Sequence, residues 1–222
     1  MSKEKLTRTV RTKVYKFDAL SDEAKKKAIE YFRDTNVDYD WWHFVYEDLK
    51  MLCETMGIEV DTKQTYFSGF AHQGQGSAFT ADIPSIVVTI KAVDEEKWKE
   101  HAPNDKINLP KSSKNIQRIL KLIDSDAIDW SSNIVTGRRE TSVKVEFSSR
   151  YQGDYVSDLT NIDNTLEQLA EHIQDIVDEL NHWFFKRLED EYDYLTSDKA
   201  VIESIKSNEY EFTKDGNFFS NR

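Results

Sequence analysis

Apolar positions along this chain fall into two spacings, and each predicts a kind of element. Residues 10–17 alternate, with Val10, Thr12 and Val14 set against Lys13, Tyr15 and Phe17, and read as a strand. Ser21 then stands before Asp22 and Glu23, a cap and two acids suited to a helix start. Ala24, Ala28, Tyr31 and Phe32 give that helix an apolar face as far as about Asn36. Trp42, Val45, Leu49, Leu52 and Met56 step by three and four, predicting a second helix over 38–56 that Gly57 terminates. Extended chain resumes at Ile58, with strands over 64–70 and 77–81 joined by a glycine-rich turn. A further strand is expected over 85–93, placing Ile86, Val88, Ile90 and Ala92 on one face.

The second half follows the same logic. Residues 94–111 form a polar excursion with a short helix near Glu95–His101, and 112–123 form a helix through Ile116, Ile119, Leu120 and Ile123. Thr141–Ser149 alternates cleanly, with Val143, Val145 and Phe147 on one side. From Asp163 to Leu195 a helical stripe runs through Leu166, Leu169, Ile173, Ile176, Leu180, Trp183, Phe184 and Leu188. Unbroken, it would span about 50 Å, so a break near Asn181 or His182, or an extension into a partner, is expected. Ser197 caps a last short helix, and 209–213 add a short edge strand. Neighbouring strands without intervening helices imply hairpins. The expected class is therefore α+β, a single domain over 1–222 with a mixed or antiparallel sheet of about 4–6 strands, helices packed on it and a long C-terminal helix.

Composition narrows the setting. One cysteine, Cys53, among 222 residues excludes an internal disulfide and fits a reducing compartment. No apolar run is long enough to cross a membrane, and the N-terminus lacks the apolar core of a secretory signal, so the expectation is a cytoplasmic protein. A net charge of −11 argues against general nucleic-acid binding. Local basic runs remain, at Lys106, Lys111, Lys114, Arg118 and Lys121 and at Arg138 and Arg139, while acids gather over 167–198. These charges read either as a local anion site or as solvated helix faces.

The chemistry concentrates in residues 66–79, which hold three of the seven glycines, Gly69, Gly74 and Gly76, together with four aromatics. Clustered glycine means sharp turns or close approach of the backbone. The segment has neither the Gly-Lys-Ser/Thr of a phosphate-binding loop nor the third glycine of a dinucleotide fingerprint, and no cofactor is expected. Two readings stand. In one, the loop is a tight hairpin whose aromatics enter the core. In the other, Tyr66, Ser68, Gly69, Phe70, His72, Gln73, Gly74, Gln75, Gly76 and Ser77 bind a nucleotide, amides cradling phosphate and an aromatic stacking on the base, with Arg138 and Arg139 supplying charge.

Two segments carry a resemblance. Tyr66–Phe70 with Gln73–Phe79, and Glu191–Glu203 followed by Asn208–Gly216, are similar to a family of small proteins encoded by bacteriophages and prophages, some labelled antitoxin-like. Val14–Ala24 and Asp38–Trp42 resemble it too, and residues 94–140 are covered least. The resemblance implies a phage-encoded accessory protein in the host cytoplasm, bound to a host or phage protein in an antitoxin-like or anti-defence role. It brings no catalytic residues, and Gln75 stands where the family often has an acid, which removes a metal or general-base role there.

Other constellations are weaker. Asp40, His43 and Glu47, and Glu179 with His182, have helical ligand spacing, but a carboxylate-bridged metal pair needs more ligands than these, and no metal is expected. Cys53 lies on the flank of an apolar stripe, as a small buried thiol does. Trp41, Trp42, Trp183 and Phe184 are candidate anchors for a partner or a second copy of the chain, if the core does not enclose them. The leading functional expectation is binding without catalysis, and the competing one is a nucleotide or cyclic dinucleotide at the loop.

Overall fold

The computed structural model describes residues 11–70, 75–136, 141–149 and 159–220. The fold is α+β, with seven strands in two antiparallel sheets among these residues. The chain divides into two compact units, one built from residues 42–189 and the other from 1–41 with 190–222.

The larger unit contains β2 (Glu59–Phe67), β3 (Ser77–Asp82), β4 (Ile128–Thr136) and β5 (Thr141–Ser149), hydrogen-bonded in that order and antiparallel throughout. Strands β2 and β3, and β4 and β5, are neighbours in sequence, whereas residues 83–127, which carry two α-helices, join β3 to β4 and return the chain beside β3. Helix α2 (His43–Glu54) packs on β2, and α4 (Lys114–Asp124) packs on β4 and on α3 (Ile86–Asp94). The α2 stripe Val45, Leu49, Leu52 and Cys53 is buried as its spacing requires. Gly57 ends the helix region with φ +71°, in the left-handed conformation that glycine adopts without a Cβ penalty. Helix α5 (Leu159–Leu195) buries Leu169, Ile173, Ile176, Val177, Leu180, Phe184 and Leu188, and no break occurs at Asn181 or His182. At 37 residues it is about 55 Å long. Its residues up to 189 belong to the larger unit, and the last turn to the smaller.

Residues 85–93 are helical, not the strand their alternation suggests. Ser85 caps α3 by accepting from Val88 N at 3.4 Å, and Ile86, Thr89, Ile90 and Val93 are buried together. So many positions are apolar here that they satisfy both periods, and the cap decides for the helix. Strand β4 has no counterpart in the pattern, because its central Ser131, Ser132 and Asn133 blur the alternation. Helix α2 begins at His43 rather than Asp38, so Trp41 and Trp42 precede it.

In the smaller unit the two ends of the chain pair. Strand β1 (Tyr15–Lys16), followed by one 3-10 turn over Phe17–Ala19, lies against β6 (Glu211–Phe212), which in turn pairs with β7 (Phe218–Phe219). The expected edge strand at 209–213 is thus the central one, because β1 from the other end of the chain pairs on one side and β7, which follows by a short turn, on the other. Helices α1 (Asp22–Phe32) and α6 (Asp198–Ser207) complete the unit, capped by Ser21 and Ser197. Its core joins Phe17, Leu20, Ala24, Ala28, Ile29, Phe32, Val201, Ile205 and Phe212. Phe32 stacks on Tyr210 at 4.7 Å and meets Phe212 and Phe218 edge-on. Arg33 ties α1 to the start of α6 through Asp198 Oδ1 at 2.9 Å and the Thr196 carbonyl at 2.9 Å.

Gly216, between β6 and β7, has φ +78°, and a Cβ there would overlap the backbone carbonyl of Ala24. Gly216→Ala is therefore expected to destabilise the protein by about 1–3 kcal/mol, the range for a strained backbone position. Urea denaturation measures this, and an unchanged midpoint would refute the close approach of β6–β7 to α1.

Candidate functional site

The glycine-rich segment is the hairpin between β2 and β3, with Phe67 opposite Ser77 and Tyr66 opposite Ala78. Ser68 closes it, donating its N–H to the Gly76 carbonyl at 2.9 Å and its hydroxyl to the same oxygen at 3.4 Å. Gly69 has φ +48°, turning the chain away from the ladder where a side chain would be strained. The Ser77 hydroxyl, 2% exposed as a residue, donates to Asn181 Oδ1 at 2.8 Å, and Asn181 Nδ2 donates back to the Ser77 carbonyl at 3.2 Å. This reciprocal pair stitches the start of β3 to the middle of α5.

Aromatic contacts fix the other side of the hairpin. Phe67 meets Trp42 edge-on at 5.6 Å and stacks on Phe70 at 5.6 Å, and Phe70 leans on Phe185 at 5.6 Å. Tyr46 meets Phe184 at 5.5 Å. Burial pushes the Tyr46 phenol up to about 12, and the neighbouring Tyr66 adds to the shift. Trp42, Phe67, Phe70 and Phe185 are each half-buried, and Tyr66 is 55% exposed. The result is a continuous aromatic surface at the base of the glycine loop, assembled from the start of α2, the hairpin and α5.

The expected site residues therefore separate. Tyr66, Ser68, Gly69, Phe70, Gln75, Gly76 and Ser77 do share the hairpin, but Ser77 is spent on Asn181, and Phe70 faces other rings. His72, Gln73, Gly74, Arg138 and Arg139 lie outside the described residues. Among the expected partner anchors, Trp41 is buried beside Tyr192, and Phe184 is fully buried. Trp183 is 7% exposed, with its indole N–H donated to Asp105 Oδ2 at 2.7 Å. Trp183 and Phe184 are enclosed because the α5 stripe faces the core, and Trp41 is enclosed ahead of α2, leaving Trp42, with Phe185, Phe67 and Phe70, as the surface rings.

A family model matches residues 41–198, more than two thirds of the chain, and is described as a domain of unknown function, DUF8835. The chain belongs to this family. No curated protein and no solved structure matches it. The family span brackets the larger unit, so the hairpin, the aromatic surface and most of α5 lie within the matched residues.

A second, polar cleft of about 270 Å³ was not legible in the sequence. Asp48 on α2 faces both Arg187 Nη2 at 3.4 Å and His101 Nε2 at 3.7 Å, with Asp105 and Trp183 beside them. Its residues come from three distant segments and share no spacing that could announce them. The opposed charges satisfy one another, and the cleft acts as a tie between α2, α5 and the 101–105 turn. Glu179, a candidate ligand by spacing, is occupied by the Asn108 N–H at 2.8 Å. Among the described residues no three His, Cys, Asp or Glu side chains gather as metal ligands, and no helix is long and apolar enough to cross a membrane. Cys53 is fully buried, and burial pushes its thiol up, which leaves little thiolate for attack.

Asn181→Leu keeps side-chain size but removes both side-chain bonds of the exchange, leaving the Ser77 hydroxyl only the Asn181 main-chain carbonyl at 3.2 Å and the Ser77 carbonyl without its amide donor, so a loss of about 0.5–1.5 kcal/mol is expected on urea denaturation. An equal stability would show that the stitch is dispensable. His172 on α5 is 7% exposed, and its Nε2 has no hydrogen-bond partner among the described residues. Burial holds its imidazole below the ordinary value, against the opposing pull of Asp94 and Asp175. The unfolded chain then takes up a proton below pH about 6.5 that the folded chain resists. Stability present above that pH is lost as pH falls through the folded value. His172→Leu should therefore reduce the drop in Tm between neutral pH and pH about 5, and a Tm difference between variant and wild type that does not change with pH would refute this.

Proposed function

We propose that this protein acts by binding a macromolecular partner, a host or phage protein, through the aromatic surface at the base of its glycine loop. The observation that carries the reading is the run of ring contacts Trp42–Phe67–Phe70–Phe185, every member half-buried, with the exposed Tyr66 preceding Phe67 on β2. Rings held rigidly by one another yet open to solvent lose little entropy on association, and tryptophan and tyrosine are typical anchors. An aromatic cluster with no further role would favour complete burial, as the Phe32 cluster of the smaller unit achieves more nearly. The similarity of residues 66–79 and 191–216 to phage-encoded proteins supports a partner met in the host cytoplasm, in an antitoxin-like or anti-defence role.

The reading predicts that tagged protein retains a specific partner from infected-cell lysate. Tyr66→Ala and Phe70→Ala should each weaken that capture by about tenfold or more, the size of a hot-spot loss. Tyr66→Ala, at an exposed position, should stay within about 0.5 kcal/mol of wild-type stability, so that a binding loss is not a folding loss. No retained partner, or one retained equally by both variants, would refute the reading.

A further inference from the structure

A different surface of the larger unit carries features that neither the hairpin nor the family assignment explains. Between α4 and the first turns of α5 lies a groove of about 470 Å³, lined by Asn115, Arg118, Ile119 and Leu122 on one side and Ile162, Asn164, Thr165 and Gln168 on the other. Its volume lies within the range of ligand-binding clefts. Ile119, Leu122 and Ile162 supply an apolar floor. Leu122 is 38% exposed, although α4 has a well-formed apolar stripe, Ile116, Ile119, Leu120 and Ile123, that buries without it.

The rim has a particular chemistry. Asn115, Asn164 and Gln168 are side-chain amides, each offering donors and an acceptor at once, which suits the alternating N–H and C=O groups of a peptide backbone. Among the described residues, no hydrogen bond engages these three side chains, and no ion pair engages Arg118. Among the described residues, Arg118 is the sole ionised residue lining the groove. Lys114 stands one turn before it on the exposed face of α4, also without an ion pair among the described residues, and the nearest acids on α5, Asp163 and Glu167, do not line the groove. In a chain of net charge −11 this is a local reversal of sign. An uncompensated guanidinium beside an apolar floor favours a carboxylate that arrives with an aliphatic neighbour, because the planar fork accepts two oxygens while the floor takes the side chain. A nucleic acid fits less well, since phosphate backbones are held by several clustered cations and repelled by the acidic remainder.

We propose that this groove binds a peptide segment of a partner protein in which an aliphatic residue stands next to Asp or Glu. The aliphatic side chain enters between Ile119, Leu122 and Ile162, the carboxylate pairs with Arg118, and the backbone pairs with Asn115, Asn164 and Gln168. This surface stands apart from the aromatic one. Thr165 and Phe185 are twenty residues apart on the continuous helix α5, about 30 Å, so the two binding proposals fail separately.

Panning a random-peptide display library on the full chain tests it, with fluorescence anisotropy on the synthetic peptides that emerge and a single-stranded RNA oligonucleotide as comparison. Sequences with an aliphatic residue beside Asp or Glu should be enriched, with affinity falling as salt rises. Arg118→Glu should weaken the peptide by about tenfold or more and Arg118→Gln by less, as expected on losing one partner of a charge pair. Leu122→Asp should weaken it as well, while all three variants keep the wild-type Tm and Tyr66→Ala leaves peptide affinity unchanged. No enrichment, enrichment of basic sequences, peptide affinity indifferent to Arg118→Glu, tighter Arg118-dependent binding of the RNA, or self-association abolished by Arg118→Glu would each overturn the proposal.

Discussion

The larger unit depends on the buried stripe of α5. Leu169, Ile173, Ile176, Val177, Leu180, Phe184 and Leu188 recur at helical spacing and are almost completely withdrawn from water. Each such side chain contributes about 1.5–3 kcal/mol of burial, so the sum over the stripe outweighs any single polar contact in the unit. Because the stripe is continuous, the helix has no reason to break. Whatever is not on the stripe is then placed by it: Asn181 beside Ser77, Phe185 beside Phe70, and Thr165 with Gln168 at the groove with α4.

Polar contacts in this unit act as locators rather than as the main source of stability. The exchange between Ser77 and Asn181 sets the height of the hairpin along α5, and Asp48 between Arg187 and His101 sets the distance from α2 to α5. Each is worth little beside the apolar stripe; the Ser77–Asn181 exchange is the less tolerant of losing a member, since Ser77 is buried, whereas the Asp48 cluster is partly exposed to solvent and screened by it. The aromatic surface depends on this positioning. Trp42, Phe67 and Phe185 come from three elements, and their rings meet only when the hairpin is held at one height.

The smaller unit shows the same division of labour with the chain ends. Phe17, Phe32 and Phe212 form the apolar centre, and Arg33, reaching Glu30, Asp198 and the Thr196 carbonyl, fixes the orientation of α1 against α6. The family match covers residues 41–198 and so takes in most of the larger unit's architecture, whereas the paired chain ends fall largely outside it.

From the sequence alone, the class α+β, the helices α1, α2, α4, α5 and α6, and the hairpin at the glycines were legible, because caps such as Ser21 and Ser197 and stripes such as Val45–Leu49–Leu52 are local signals. Two kinds of element were not. Residues 85–93 satisfy both periodicities and were settled by the Ser85 cap, and β4 owes its existence to the strands on either side of it. The tertiary structure alone decided which aromatics reach the surface, since adjacent rings such as Phe184 and Phe185 differ only in which way the helix turns them. It alone joined Asp48 to His101 and Arg187, and Arg118 to Asn164 and Gln168, because side chains so far apart in the chain share no period and meet only where packing brings their elements together.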